Sequence, residues 1–176
     1  LSFKLARHFV DDAPPPALVE RMAAAFLRSD GDLPSLYRAM LIDDAAWTQH
    51  ARKFKTPEDF VISAMRAGEL WLDRQPRILL RLLQGLGQPT FTPRSPAGFP
   101  DTAADWASGD ALHKRLQAAG GLAELVPAGR RPFEVAIDAL GEAAVRGAFA
   151  DALRRAGSPR EGFALLFSAP AFQWRV

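Results

Sequence analysis

Residues 53–67 read KFKTPEDFVISAMRA, and the reading of this stretch decides the fold class. Thr56 supplies a side-chain oxygen for the free N–H groups of a first helical turn. Pro57 fits the first helical position, and Asp59 stands where the acid of a capping box belongs. Phe60, Val61, Ala64 and Met65 then recur at helical spacing, and the spacing predicts one buried face running through Trp71 to Pro76. A strand needs alternation instead. No stretch of the chain alternates polar and apolar residues cleanly, and Val, Ile and Thr are scarce.

The same grammar holds on both sides. Leu1, Leu5 and Phe9 lie four apart, with Ala6 and Val10 beside them, so residues 1–10 form an amphipathic helix. Nothing caps its start, which points to a longer protein lacking its N-terminal part here. Asp11 to Pro16 breaks it. A second helix carries Leu18, Val19, Met22, Ala23, Phe26 and Leu27 inward and ends near Asp30-Gly31. Asp32 caps a third, with Leu33, Leu36, Tyr37, Met40 and Leu41 inward. Residues 77–86 (RILLRLLQGL) are apolar enough for a core helix. Further helices are predicted at 109–119, 133–140, 142–156 and 159–168, broken by Gly120-Gly121, Gly141 and Gly157-Ser158-Pro159, with short ones at 121–126 and 170–174. Residues 87–101 (GQPTFTPRSPAGFPD) hold four prolines and two glycines, which exclude regular structure. The expectation is an all-α single domain over residues 1–176, of about eight to ten helices with one long proline-rich loop. Phe26, Met40, Leu41, Phe60, Ala64, Trp71, Leu79, Leu82, Leu83, Leu116 and Phe149 form its expected core.

Composition removes several chemistries. The 176 residues include no cysteine, so thiol nucleophiles, thiolate metal sites and disulfides are excluded. A net charge of +2 is too small to argue for nucleic acid, and no apolar run approaches the roughly 20 residues of a membrane span. His8, His50 and His113 lack metal-ligand spacing, and no Gly-rich phosphate loop or GxSxG elbow occurs. Neither a metal nor a cofactor is expected. His8 before Asp11 and Asp12 has the residue types of an acid–base pair, but a histidine in a last helical turn is also favoured by the helix dipole. Asp11-Asp12 and Asp43-Asp44 each follow a helix, where aspartate is a good turn residue. Arg66, Arg74, Arg77 and Arg81 suit a solvated face.

Two places are less bland. Lys53 and Lys55 flank Phe54 just before a helix start, an arrangement that would steer an anion to free N–H groups; otherwise Phe54 plugs the core and both lysines are solvated. The loop at 87–101 has aromatic pegs in Phe91 and Phe99, leaving Gln88, Arg94, Ser95 and Asp101 for the surface. It is either a recognition loop or a strap across a helix interface. The candidate binding residues are therefore Lys53, Lys55, Gln88, Phe91, Arg94, Phe99 and Trp106. A weak internal echo pairs MLIDDAAW (40–47) with LLFSAPAF (165–172), each an apolar helix end, a turn and an aromatic.

Four segments in order, KLARHFVDDAPPPALVERMAAAF (4–26), KFKTPEDFVISAMRA (53–67), LGQPTFTPRSPAGFPDTAADW (86–106) and ALLFSAPAFQ (164–173), resemble the C-terminal part of the bacterial family called domain of unknown function 1800. The chain departs from that pattern at Gly98-Phe99-Pro100, where a Trp is common, and at Asp43-Asp44, where Ser-Pro is usual. The resemblance implies a mainly helical module of a longer protein and transfers no catalytic residue. Many relatives look exported, and the cell envelope is favoured on that ground alone. The functional expectation is a protein-interaction or scaffold module. Its partner would be the absent N-terminal part or another protein, with self-association as a substitute. The alternative is part of an enzyme, perhaps a hydrolase, completed by groups outside this chain.

Overall fold

The computed structural model describes residues 1–48, 53–71 and 76–175. Among these residues the regular structure is ten α-helices and two short 3₁₀ helices, with one isolated antiparallel bridge between Phe54 and Trp174. The fold is all-α. The chain divides into two compact units, Leu1–Lys53 with Asp101–Ala103, and Phe54–Pro100 with Ala104–Val176.

The first unit contains α1 (Ser2–Phe9), α2 (Pro16–Arg28), α3 (Leu33–Leu41) and a 3₁₀ helix at Asp44–Ala46. Its core is Ala6, Val10, Leu18, Met22, Leu36 and Met40, with Phe26 half-buried beside them. The Asp32 carboxylate accepts from the Ser35 N–H, so the expected cap is present. Of the five α3 residues expected inward, only Leu36 and Met40 are buried; Leu33, Tyr37 and Leu41 are exposed. One turn-to-turn spacing of four residues is enough to cover α2, and the flanking positions stay outside. Asp43 caps the 3₁₀ helix through the Ala45 N–H and pairs with Arg21, whose hydrogen bond holds the Asp43 carboxyl below the usual range.

The second unit contains α4 (Pro57–Gly68), α5 (Pro76–Gly85), α6 (Ala103–Trp106), α7 (Gly109–Ala123), α8 (Pro132–Leu140), α9 (Gly147–Arg155) and α10 (Pro159–Ser168). A 3₁₀ helix follows at Pro170–Gln173, so both halves of the sequence echo pass from an α-helix into a 3₁₀ helix, with Trp47 after the first and Phe172 inside the second. Helix α10 lies chiefly against α7, around Phe60, Leu122, Phe163, Leu166, Phe167 and Phe172. Gly162 lets α10 approach the start of α8, since a Cβ there would sit 2.6 Å from Pro132 Cγ.

Several expectations are corrected. Helix α4 carries the full capping box of Thr56 and Asp59, but it stops at Gly68 rather than running to Pro76. Glu69 turns left-handed (φ 53°) and the Leu70 N–H closes back on the Met65 carbonyl, which sends Trp71 off the helix, where it is 81% exposed. Helix α5 buries Leu83 and half-buries Leu79 and Leu82, but Leu80 is exposed, so it is one-faced and not a core helix. Gly120 and Gly121 do not break α7, which continues to Ala123 and absorbs the start of the short helix expected at 121–126. The α7 stripe is Arg115, Ala118, Ala119, Leu122 and Ala123, which rotates Leu116 outward. Helix α9 starts at Gly147, five residues later than expected, with Phe149 half-buried. The helices at 133–140 and 159–168 match closely.

Candidate functional site

Of the candidate residues in the second unit, Arg94, Phe99 and Trp106 share one cleft and Lys55 borders another. In the first unit, Lys53 is buried, pairs with Asp12 and donates to the Asp101 carbonyl at 2.6 Å. Asp12 also accepts from the Ala103 N–H, so the doublet at 11–12 is divided between a turn acid and a structural ion pair. Among the described residues His8 Nδ1 stands 3.8 Å from the Asp101 carboxylate, with both side chains well exposed. That is beyond hydrogen-bond reach and lies in no cleft of an acid–base pair. His113 is 3.1 Å from the Gln117 amide. His50 and Arg74 lie outside the described residues.

In the second unit the loop is tied down at both ends. Gln88 is buried and its carbonyl accepts from the Glu58 N–H, adding a second cap to α4. At the other end the Trp106 indole donates to the Pro100 carbonyl at 2.9 Å. Between them residues 91–97 are exposed. Phe91 is not a peg: it is 95% exposed, on left-handed backbone at φ 59°. Phe99 is half-buried and Trp106 buried. Arg94, Phe99 and Trp106 line a cleft of about 610 Å³ that also borders Asp105, Asp110 and Lys114. Lys55 does not face that cleft, so the anion arrangement of Lys55 with Arg94 is absent.

Lys55 lies elsewhere, and it is not solvated. The segment before α4 is extended and anchored by the C-terminal strand-like residues, with the Lys55 N–H donating to the Gln173 carbonyl at 2.8 Å. Phe54 is buried edge-on against Trp174 at 5.2 Å. Lys55 is buried beside Phe54, with its ammonium 4.2 Å from the Phe172 ring centroid. Burial pushes its pKa down to about 8; Asp59 opposes that, and the charge of Arg115 adds to it. Arg115 is itself buried, donates to the Lys55 carbonyl and to Gln173, and lies over the Phe54 and Phe60 rings. Burial lowers its pKa to about 10, with Asp59 opposing. For Asp59, burial alone would raise the pKa. The hydrogen bond and charge of Arg175, then the Thr56 hydroxyl and N–H, outweigh it, and the carboxyl falls below its usual range.

Lys55 borders a second cleft, of about 410 Å³, with Ser63 and Arg66 on α4 and Val135 and Asp138 on α8. Arg130 lies there too, held by Glu69 and by its Nη2 donating to the Ala67 carbonyl at 3.1 Å. A third concavity, of about 600 Å³, is apolar. Ile62, Met65, Leu70, Trp71, Pro76 and Leu79 line it, with Arg66 and Glu69 at its polar margin. Sequence reasoning missed Arg115 and Arg130. A cation in register with Ala118, Ala119 and Leu122 was a legible signal for the first; nothing in the sequence marked the second.

Among the described residues no three His, Asp or Glu side chains come together as a metal site, and no helix is long and apolar enough to cross a membrane. The sequence profile described as "Protein of unknown function (DUF1800)" matches residues 1–174. No curated protein and no solved structure matches the chain.

Proposed function

We propose, for a chain that belongs to the DUF1800 family of proteins of unknown function, that it acts as a helical protein-interaction module. The observation behind this is the apolar groove beside α4 and α5, where Trp71 is 81% exposed and Ile62 about half exposed. Water against such a surface is unfavourable by roughly 25 cal/mol per Å² of apolar area, and a groove of this lining suits the apolar face of a helix. The occupant we assign in the isolated chain is a second copy. Helix α1 supplies a suitable face, because Leu1, Phe3 and Phe9 are exposed along it.

Phe91 extends the same surface argument to the loop. An exposed aromatic on left-handed backbone is strained, and such residues cluster at recognition sites. Sedimentation velocity over a wide concentration range tests the proposal. Concentration-dependent association that weakens in Ile62→Glu and in Phe3→Glu is the expected result. A chain that stays monomeric throughout, or association indifferent to both substitutions, overturns it. Phe91→Ser then asks whether the loop belongs to the same contact.

A further inference from the structure

We propose that the cleft between α4 and α8 binds a small oxyanion, a phosphate monoester or a carboxylate, through Lys55, Arg66 and Arg130. Lys55 is only 7% exposed, and among the described residues its ammonium has no hydrogen-bond acceptor. Its place is fixed by backbone hydrogen bonds on both sides, from its own N–H to Gln173 and to its carbonyl from Arg115. The ammonium, mostly buried against the Phe172 ring, turns its remaining donor capacity to the cleft. An oxyanion in the cleft would accept from it.

Two guanidinium groups border the same space. Arg130 is oriented by Glu69 and the Ala67 carbonyl, and its Nε is buried with no acceptor. Arg66 is exposed and pairs with no carboxylate among the described residues. The Ser63 hydroxyl is a further donor, one turn before Arg66 on α4. Three cations line the cleft, of which Arg130 is already paired with Glu69, and among the described residues Asp138 is the one carboxylate on the lining. It would repel a second charge at that edge and accept from a ligand hydroxyl instead. A volume of about 410 Å³ lies near the lower end of small-molecule sites. Around Lys55, Asp59 favours its ammonium and Arg115 disfavours it, while Arg66, Arg130 and Asp138 share its cleft. A bound anion joins Asp59, raises the lysine pKa and so draws in protons near pH 8.

Isothermal titration calorimetry with inorganic phosphate, methyl phosphate and glycolate tests the site at pH 7. Saturable binding of at least one probe is expected. It should weaken by about tenfold in Arg66→Gln, as for loss of one charged hydrogen bond, and disappear in Lys55→Met. Preference for methyl phosphate or for glycolate assigns the ligand class. Repeating the titration at pH 8 in buffers of different ionisation enthalpy should show proton uptake. Arg66 is exposed, so Arg66→Gln remains informative should Lys55→Met fold poorly. Phe3→Glu, which alters the exposed apolar face of α1, should leave anion binding intact. No saturation by any probe at tens of millimolar, or equal binding in the wild type and Arg66→Gln, overturns the proposal.

Discussion

A buried lysine is a titration experiment built into the chain. The Lys55 pKa is about 8 in the folded protein and near its ordinary 10.5 when unfolded. Between those values the unfolded chain binds the extra proton, so stability rises with pH across this window. Below pH 8 both states are protonated and the desolvation penalty is present in full. Above 10.5 it is gone. Lys55→Met should therefore be more stable than wild type at pH 7, on the order of 2 kcal/mol after allowing for residual solvent screening. The difference should shrink to near zero by pH 11. Urea denaturation of both proteins from pH 7 to 11 checks this, and a difference independent of pH would contradict the burial argument. Arg115 acts in the opposite sense to a dispensable charge, because its guanidinium holds the Lys55 carbonyl and Gln173. Arg115→Ala leaves those acceptors buried and unpaired, and should destabilise the second unit by about 3 kcal/mol.

At the scale of helices, glycine means two different things. Gly162 faces Pro132 at a distance no Cβ tolerates, whereas an added Cβ at Gly121 meets nothing within 4 Å. Gly162→Ala must push α10 from α8 and should lose at least 2 kcal/mol, as overpacking does. Gly121→Ala gains helix propensity and should add up to about 1 kcal/mol. Thermal melts of the two variants should move in opposite directions. The same contrast explains what the sequence made legible. Asp32, Thr56 with Asp59, and Ser158 before Pro159 are local signals, and the helices they open begin where expected. Gly120-Gly121 is also a local signal, but tertiary burial of Ala118, Ala119 and Leu122 outweighs it. The end of α4 was hidden because a glutamate, not a glycine, takes the left-handed turn. Its Arg130 partner lies 61 residues away, out of reach of any local rule. The clefts were illegible for the same reason. Arg130 stands more than 60 residues from Lys55 and Arg66, and only packing puts the three on one lining. The loop's ends were readable from Pro and aromatic content, but the outward Phe91 was not.

For the molecule as a whole, the division into units does not follow the order of the chain. Asp101–Ala103 belongs with Leu1–Lys53, although α4, α5 and the proline-rich loop lie between them in sequence. Those three residues supply the Asp101 carbonyl for Lys53 and the Ala103 N–H for Asp12. On the ribosome this becomes a matter of timing. When Lys53 has left the exit tunnel, the first unit has its helices but lacks the partners that satisfy Asp12 and Lys53. Roughly fifty more residues must emerge, about five seconds at a rate near ten residues per second. Proteolysis of nascent chains stalled with Lys53 or with Ala103 just outside the tunnel should find α1–α3 readily cleaved at the first point and protected at the second, and equal protection at both would contradict this. Throughout that interval the apolar faces of α1 to α3 stand beside emerging, unfinished chain, which makes the few seconds before Asp101 appears the period of greatest exposure to chaperones and proteases.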